Sequence, residues 1–201
     1  MHIGVNLRVQ KIDSNFMDDL LPEEVDYYIN DAIESYIKQQ YSYLKGEISI
    51  ETQYISENLR TLITTKELNN PSLVDYLTNA VQFEYPEEKP FYYYLTAKVK
   101  NNNVFHNTQM ISDKQLRDYN TTEYNMPLFR YIPILFTQNN IIVTADRRTN
   151  LDEQTLLNLT YIRKPNRVSL EDEINCDLPE HTHKEIVKIA ANDILNDIQG
   201  T

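Results

Sequence analysis

Two histidines, a cysteine and their acidic neighbours are the residues of this chain whose types and spacing invite a chemical reading. His181 and His183, with Glu180, Glu185 and nearby Cys176, form the one cluster of metal-ligand types. A zinc-binding pair on one helix face is spaced four apart, as in His-Glu-x-x-His. Here the spacing is two, which splits the rings between two sides of a helix. Polar residues at a helix start are the expectation, and a metal site is not. Cys176 as a nucleophile would need a base and an electropositive setting. Its neighbours Glu173, Asp177 and Glu180 carry the opposite sign and would hold the thiol protonated.

Carboxylates come in runs: Asp18-Asp19, Glu23-Glu24, Glu87-Glu88 and Glu171-Asp172-Glu173. Glycoside hydrolysis needs two of them facing across a cleft, which adjacency does not supply, so solvated faces are expected. Asp146 to Glu153 lacks the glycine and the alternation of a calcium loop. Only Gly4, Gly46 and Gly200 are present, too few for a phosphate loop or a dinucleotide fingerprint. We assign no catalytic, cofactor-binding or metal-binding residue, expect no cofactor, and do not expect an enzyme.

Tyrosine is abundant, at 15 residues with no tryptophan. Its ring is apolar and its tip polar, which suits both core rims and surfaces that a partner covers. On a strand, Tyr92-Tyr93-Tyr94 would alternate faces. At least one ring should then point outward, either as an edge-strand rim or as a contact for another subunit.

These residues must be positioned by recognisable elements. Pro22 and the acidic Glu23, Glu24 and Asp26 open a helix over about 22–44, with Val25, Ile29, Ala32, Ile33, Tyr36 and Ile37 as its apolar stripe. Gly46 is its expected stop, and Asp13 or Ser14 could begin a short turn before it. Ile48, Ile50, Thr52 and Tyr54 alternate as in a half-buried strand. Leu59, Leu62 and Ile63 return to helical spacing for two turns. Asn70-Pro71-Ser72 caps a short helix through Leu73, Tyr76, Leu77 and Ala80. Strands are expected at Phe91–Val99, Phe129–Phe136, Ile141–Ala145, Leu159–Arg163 and Arg167–Leu170. Asparagine turns such as Asn101-Asn102-Asn103 and Asn139-Asn140 stand in for missing glycine. Residues 101–127 read as a long polar loop with a short helix at Ser112–Tyr119. A last helix, about Pro179–Ile198, buries Ile186, Ile189, Ala190, Ile194 and Ile198, and Thr182 with Glu185 fits a capping box that would start it a turn later.

The fold class that follows is α+β: an antiparallel, sandwich-like β-sheet core with helices at both termini. We expect a single structural domain over 1–201, with a helical arm at about 1–46, a mostly β core at 47–170 and a C-terminal helix at 171–201. A chain of this length buries roughly 70% of its unfolded surface without staples, and one cysteine cannot form an intrachain disulfide. The net charge of −11 and the absence of a basic block longer than Arg147-Arg148 disfavour DNA binding by counterion release. An acidic body would instead repel phosphate, as suits a passage through which DNA slides. No run approaches 18 apolar residues, and neither signal peptide nor membrane span is expected.

Several short motifs carry a resemblance. At the N-terminus these are Lys11, Asp13, Ser14 and Asn15, the Pro-Glu-Glu helix start and Asn30-Asp31-Ala32. Midway come Leu59-Arg60-Thr61-Leu62 and Val74-Asp75-Tyr76-Leu77, with Pro71 slightly displaced. Near the end are Tyr161-Ile162-Arg163-Lys164-Pro165 and Leu178-Pro179-Glu180-His181 continuing through His183, Glu185, Ile186 and Val187. In this order they resemble the head–tail connector and tail ring structural proteins of crAss-like tailed bacteriophages. The resemblance implies a non-enzymatic virion protein, located at the head–tail junction or tail and assembled in the host bacterial cytoplasm. It implies copies of itself in a ring of about twelve, neighbouring portal, adaptor or tail proteins, and DNA passing nearby without sequence-specific binding. The alternative from another class is a β-sandwich binding module for carbohydrate or a host receptor, using its Asn and Tyr loops.

Overall fold

The computed structural model describes residues 1–12, 20–44, 57–74, 79–120, 131–146 and 149–199. Their contacts divide the chain into two compact units, residues 1–63 with 165–201, and residues 64–164. The expected strand at 47–55, the turn at Asp13 or Ser14, the stop at Gly46 and the Arg147-Arg148 pair lie outside the described residues.

The long helices described in the first unit are α1 (His2–Ile12), α2 (Pro22–Leu44) and α4 (His183–Gln199). Helix α2 starts as expected, and the Glu24 carboxylate accepts the Leu21 N–H at 3.0 Å, satisfying one of the donors a helix start leaves open. All six residues of its apolar stripe, Val25 through Ile37, are buried. Helix α4 packs on both α1 and α2. It therefore buries two adjoining stripes, Ile186, Ala190 and Ile194 beside Val187, Ala191 and Leu195. The expected Ile189 is only half-buried, because a one-sided stripe serves one partner and α4 has two. The Ile198 side chain is outside what the structure describes.

Helix α1 lies within the expected N-terminal helical arm. It buries Val5 and Val9 but leaves Ile3 and Leu7 exposed, so no single stripe marks it. Gly4 lets it approach α4: a Cβ there would lie 3.2 Å from Val187 Cγ1. A 3-10 turn, Glu180–Thr182, leads into α4. Helix α4 starts at His183, a turn after Pro179 as the expected box implied, and the Thr182 hydroxyl donates to the Pro179 carbonyl at 2.7 Å.

The second unit is one eight-stranded sheet. Its strands are β1 (Ile63–Leu68), β2 (Ser72–Leu73), β3 (Ala80–Glu84), β4 (Phe91–Asn101), β5 (Val104–Met110), β6 (Ile132–Phe136), β7 (Asn140–Thr144) and β8 (Leu156–Arg163). The spatial order is β1-β8-β4-β5-β6-β7-β3-β2. Pairs β2–β3, β3–β7, β4–β5, β4–β8 and β6–β7 are antiparallel, and β5–β6 is parallel. Strand β5 is the corner. Val104–Asn107 pair with β4, whereas Thr108–Met110 pair with β6. The sheet curls there, and its two halves close over one core that includes Val81, Phe83, Val99, Ile134, Val143 and Leu159. The architecture is α+β, with a curled, mostly antiparallel sheet and helices at both ends. Phe91 stacks on Phe136 with ring centroids 5.3 Å apart, closing one end of this core.

Asparagine does supply left-handed turns. Asn102 and Asn103 have φ of 48° and 63°, as a two-residue primed hairpin between β4 and β5 requires.

Four expectations need correction. The helix capped by Asn70 is absent where described: Asn70 is left-handed (φ 54°) and Ser72–Leu73 pair with β3, while 75–78 lie outside the described residues. Cross-strand bonding outweighs a helix too short to sustain itself. The helical spacing at Leu59, Leu62 and Ile63 does not continue as helix: residues 60–62 form a turn and β1 follows from Ile63, while 51–56 lie outside the described residues. Residues 101–120 are not loop but contain β5 and helix α3 (Asp113–Asn120), which matches the short helix expected at Ser112–Tyr119. The α3 start is a capping box of Ser112 with Gln115, the Ser112 N–H donating to Gln115 Oε1 at 2.8 Å. Finally, Arg167–Leu170 forms no strand. The segment makes only the isolated bridge Ser169–Ile174.

Candidate interaction surfaces

In the first unit, helix α2 anchors the loop that follows residue 165. The Asn30 amide donates to the Val168 carbonyl at 2.9 Å and its oxygen accepts the Val168 N–H at 2.8 Å. One turn earlier, Asp26 accepts the Leu170 N–H at 3.0 Å and, through its other oxygen, meets His2 Nε2 at 2.6 Å. Both side chains of that contact are largely buried. Asp177 accepts the Asn166 N–H at 2.8 Å, tying the two ends of the loop together. The result is a rigidly held turn, residues 169–174, that presents its own side chains outward.

Beside this turn lies a groove of about 650 Å³. Ile3, Leu170 and Ile174 line it and are 77%, 53% and 40% exposed. Glu171, Asp172 and Glu173 are exposed on its turn. Three exposed apolar side chains set among polar lining residues, beside an acidic turn, make this groove a candidate docking surface.

Cys176 and His183 also line this groove. Burial first, and then the Asp177 charge, hold the Cys176 thiol above its ordinary pKa, offset in part by a hydrogen bond from the Leu178 backbone. His183 Nε2 is occupied by the Leu178 carbonyl at 3.0 Å, and His181 Nε2 by Asn58 Oδ1 at 2.9 Å. The histidines serve structure, and no cluster of metal-ligand residues occurs among the described residues. Of the acidic runs, Asp18-Asp19 lies outside the described residues. Glu23-Glu24 and Glu87-Glu88 are exposed, and Lys66, by hydrogen bond and charge, lowers the Glu88 pKa.

The second unit carries an exposed apolar hairpin tip. Val104 and Phe105 follow the Asn102-Asn103 turn and are 54% and 56% exposed. Lys100 extends its ammonium over Phe105, 5.7 Å from the ring centroid. Among the described residues neither Lys98 nor Lys100 forms an ion pair. The tyrosine triplet is less available, since Tyr92, Tyr93 and Tyr94 are all half-buried. Register shifts flank the Tyr93-Tyr94 pair; the Tyr92 and Tyr93 ring centroids lie 4.3 Å apart, and Tyr94 packs on Phe136 at 5.0 Å.

A polar cleft of about 480 Å³ lies elsewhere in this unit, lined by Asn69, Asn70, Gln82, Tyr85 and Asn140 among others. Two of its polar groups bond each other, Asn140 donating to Gln82 at 3.2 Å, and the Tyr85 hydroxyl is given to the Thr137 carbonyl at 2.8 Å.

Sequence reading missed Ile3, Leu170 and Ile174 because their exposure depends on α1 and on the anchored turn. Val104-Phe105 left one signal: two apolar residues directly after an Asn-Asn turn. No protein-family model matches this chain, and no curated protein matches it. Among the described residues, no helix is long and apolar enough to cross a membrane.

Proposed function

We propose that the chain is a structural virion subunit of a phage head–tail connector or tail ring, surrounding the DNA channel and acting without catalysis. The observation that carries this reading is how the residues of the family-like motifs are used. Asn30 holds the Val168 backbone, His181 bonds Asn58, His183 bonds the Leu178 carbonyl, and Ile186 and Val187 fill the helical core. These motif residues build a scaffold, and none of them converges on a reactive centre. Two separate apolar surfaces of different shape, one per unit, supply what a head-to-tail ring contact needs. The neighbouring partners on this reading are portal, adaptor or tail proteins, with copies of this chain beside it.

The test is the mass and shape of the purified protein by light scattering and negative-stain microscopy, alone and with portal complex. Closed rings in either setting are the expected result. A monomer that ignores the portal at every concentration overturns the reading. The polar cleft of the second unit favours a second reading, a carbohydrate-binding module, since amides and a tyrosine line it. Its side chains are already partly bonded to the protein itself, which weakens it. Saturable glycan binding at that cleft, abolished by Gln82→Ala, would restore it.

A further inference from the structure

We infer that the β4–β5 hairpin of one copy seats in the α1-and-turn groove of the next copy. This inference rests on the ring reading and specifies its subunit contact. Successive strand residues face opposite ways. Val104 and Phe105 therefore make the hairpin tip apolar on both sides, a wedge rather than a flat edge. The groove offers matching walls in Ile3, Leu170 and Ile174.

Charge selects this pairing. The chain carries −11 overall, so two copies repel at most orientations. The hairpin is locally basic through Lys98 and Lys100, and the turn bordering the groove carries the exposed Glu171, Asp172 and Glu173, of which Glu173 lines the groove itself. Inserting Phe105 carries the Lys100 ammonium, already held over its ring, to that turn. Like-with-like contacts would set acidic turn against acidic turn or lysine against lysine, which costs free energy. The favourable contact is thus heterologous and repeats around a ring. Ring closure gives every copy two such junctions.

The experiment uses the whole chain and reads assembly by analytical ultracentrifugation, with circular dichroism confirming the fold of each variant. Phe105→Glu and Ile174→Lys each alter an exposed side chain, and each should raise the concentration needed for assembly at least tenfold. Mixed together, they retain one intact hairpin and one intact groove, so they should form dimers that grow no further. Lys100→Glu should weaken assembly, and adding Glu173→Lys should restore it. If Phe105→Glu forms rings at the wild-type concentration, the contact is wrong while the ring reading stands. A wild-type chain that is monomeric alone sinks the contact. The ring reading falls only if that chain also ignores the portal complex.

Discussion

Asn30 of helix α2 pairs with Val168 as one strand residue pairs with another, giving a donor to its carbonyl at 2.9 Å and taking its N–H at 2.8 Å across 138 residues of sequence. The second amide hydrogen goes to the Asp26 carbonyl at 2.8 Å, so the side chain is fully engaged. Asn30→Ala leaves both Val168 groups without their partner and should cost about 2–3 kcal/mol. Asn30→Asp keeps the bond from Val168 N–H but sets a carboxylate against two carbonyls, and should cost as much. Urea denaturation midpoints decide this; an unchanged midpoint for either variant refutes the anchoring role.

Asn79 plays the equivalent part in the second unit. Its backbone is left-handed (φ 56°), its amide donates to the carbonyls of Ala145, Asp146 and Thr149, and its oxygen accepts the Leu151 N–H at 2.8 Å. Asn79→Ala loses both the bonds and the tolerance for that backbone, and should destabilise by about 3 kcal/mol or more. Asn79→Gly keeps the backbone freedom and should be milder by about 1 kcal/mol. Equal losses would mean that conformation contributes nothing.

Asp193 gives the protein a small stability gradient in acid. Burial first, and then the charges of Asp31 and Asp197, hold its carboxyl above the ordinary 3.8. A carboxylate with a raised folded pKa opposes folding once ionised. That penalty is therefore complete above the folded pKa, and it is relieved as pH falls through it toward the unfolded value. Asp193→Asn should stabilise at neutral pH by only a few tenths of a kcal/mol, since the group is largely solvated. The advantage should vanish near pH 3, where wild type is protonated in both states. A gain that persists in acid would point to packing instead of charge.

Cys176 should behave as an inert thiol. With burial and Asp177 raising its pKa, little thiolate exists at neutral pH. Its reaction with a disulfide reagent should be slower than that of the same residue in the urea-unfolded chain, with a pH midpoint above the ordinary thiol value. Faster reaction in the folded protein would reopen the case for a reactive cysteine.

What the sequence determined by itself is local. The α2 stripe Val25 through Ile37, the start of α2 at Pro22, strands β4, β6, β7 and β8, and the left-handed Asn102-Asn103 turn all follow from side-chain period, capping chemistry and backbone tolerance. Each rests on residues within a few positions of one another. Tertiary structure alone decided the rest. It turned the Asn70 segment from a helix start into strand β2 by offering it β3 as a partner, and it made β5 a corner strand shared between β4 and β6. It made Asn30 and Asn79 clasps of distant backbone, and it placed Ile3 beside Leu170 and Ile174. The physical reason is that a hydrogen-bonding amide or an exposed isoleucine looks the same in sequence wherever it sits. Its role is set by the group that long-range folding brings within 3 Å.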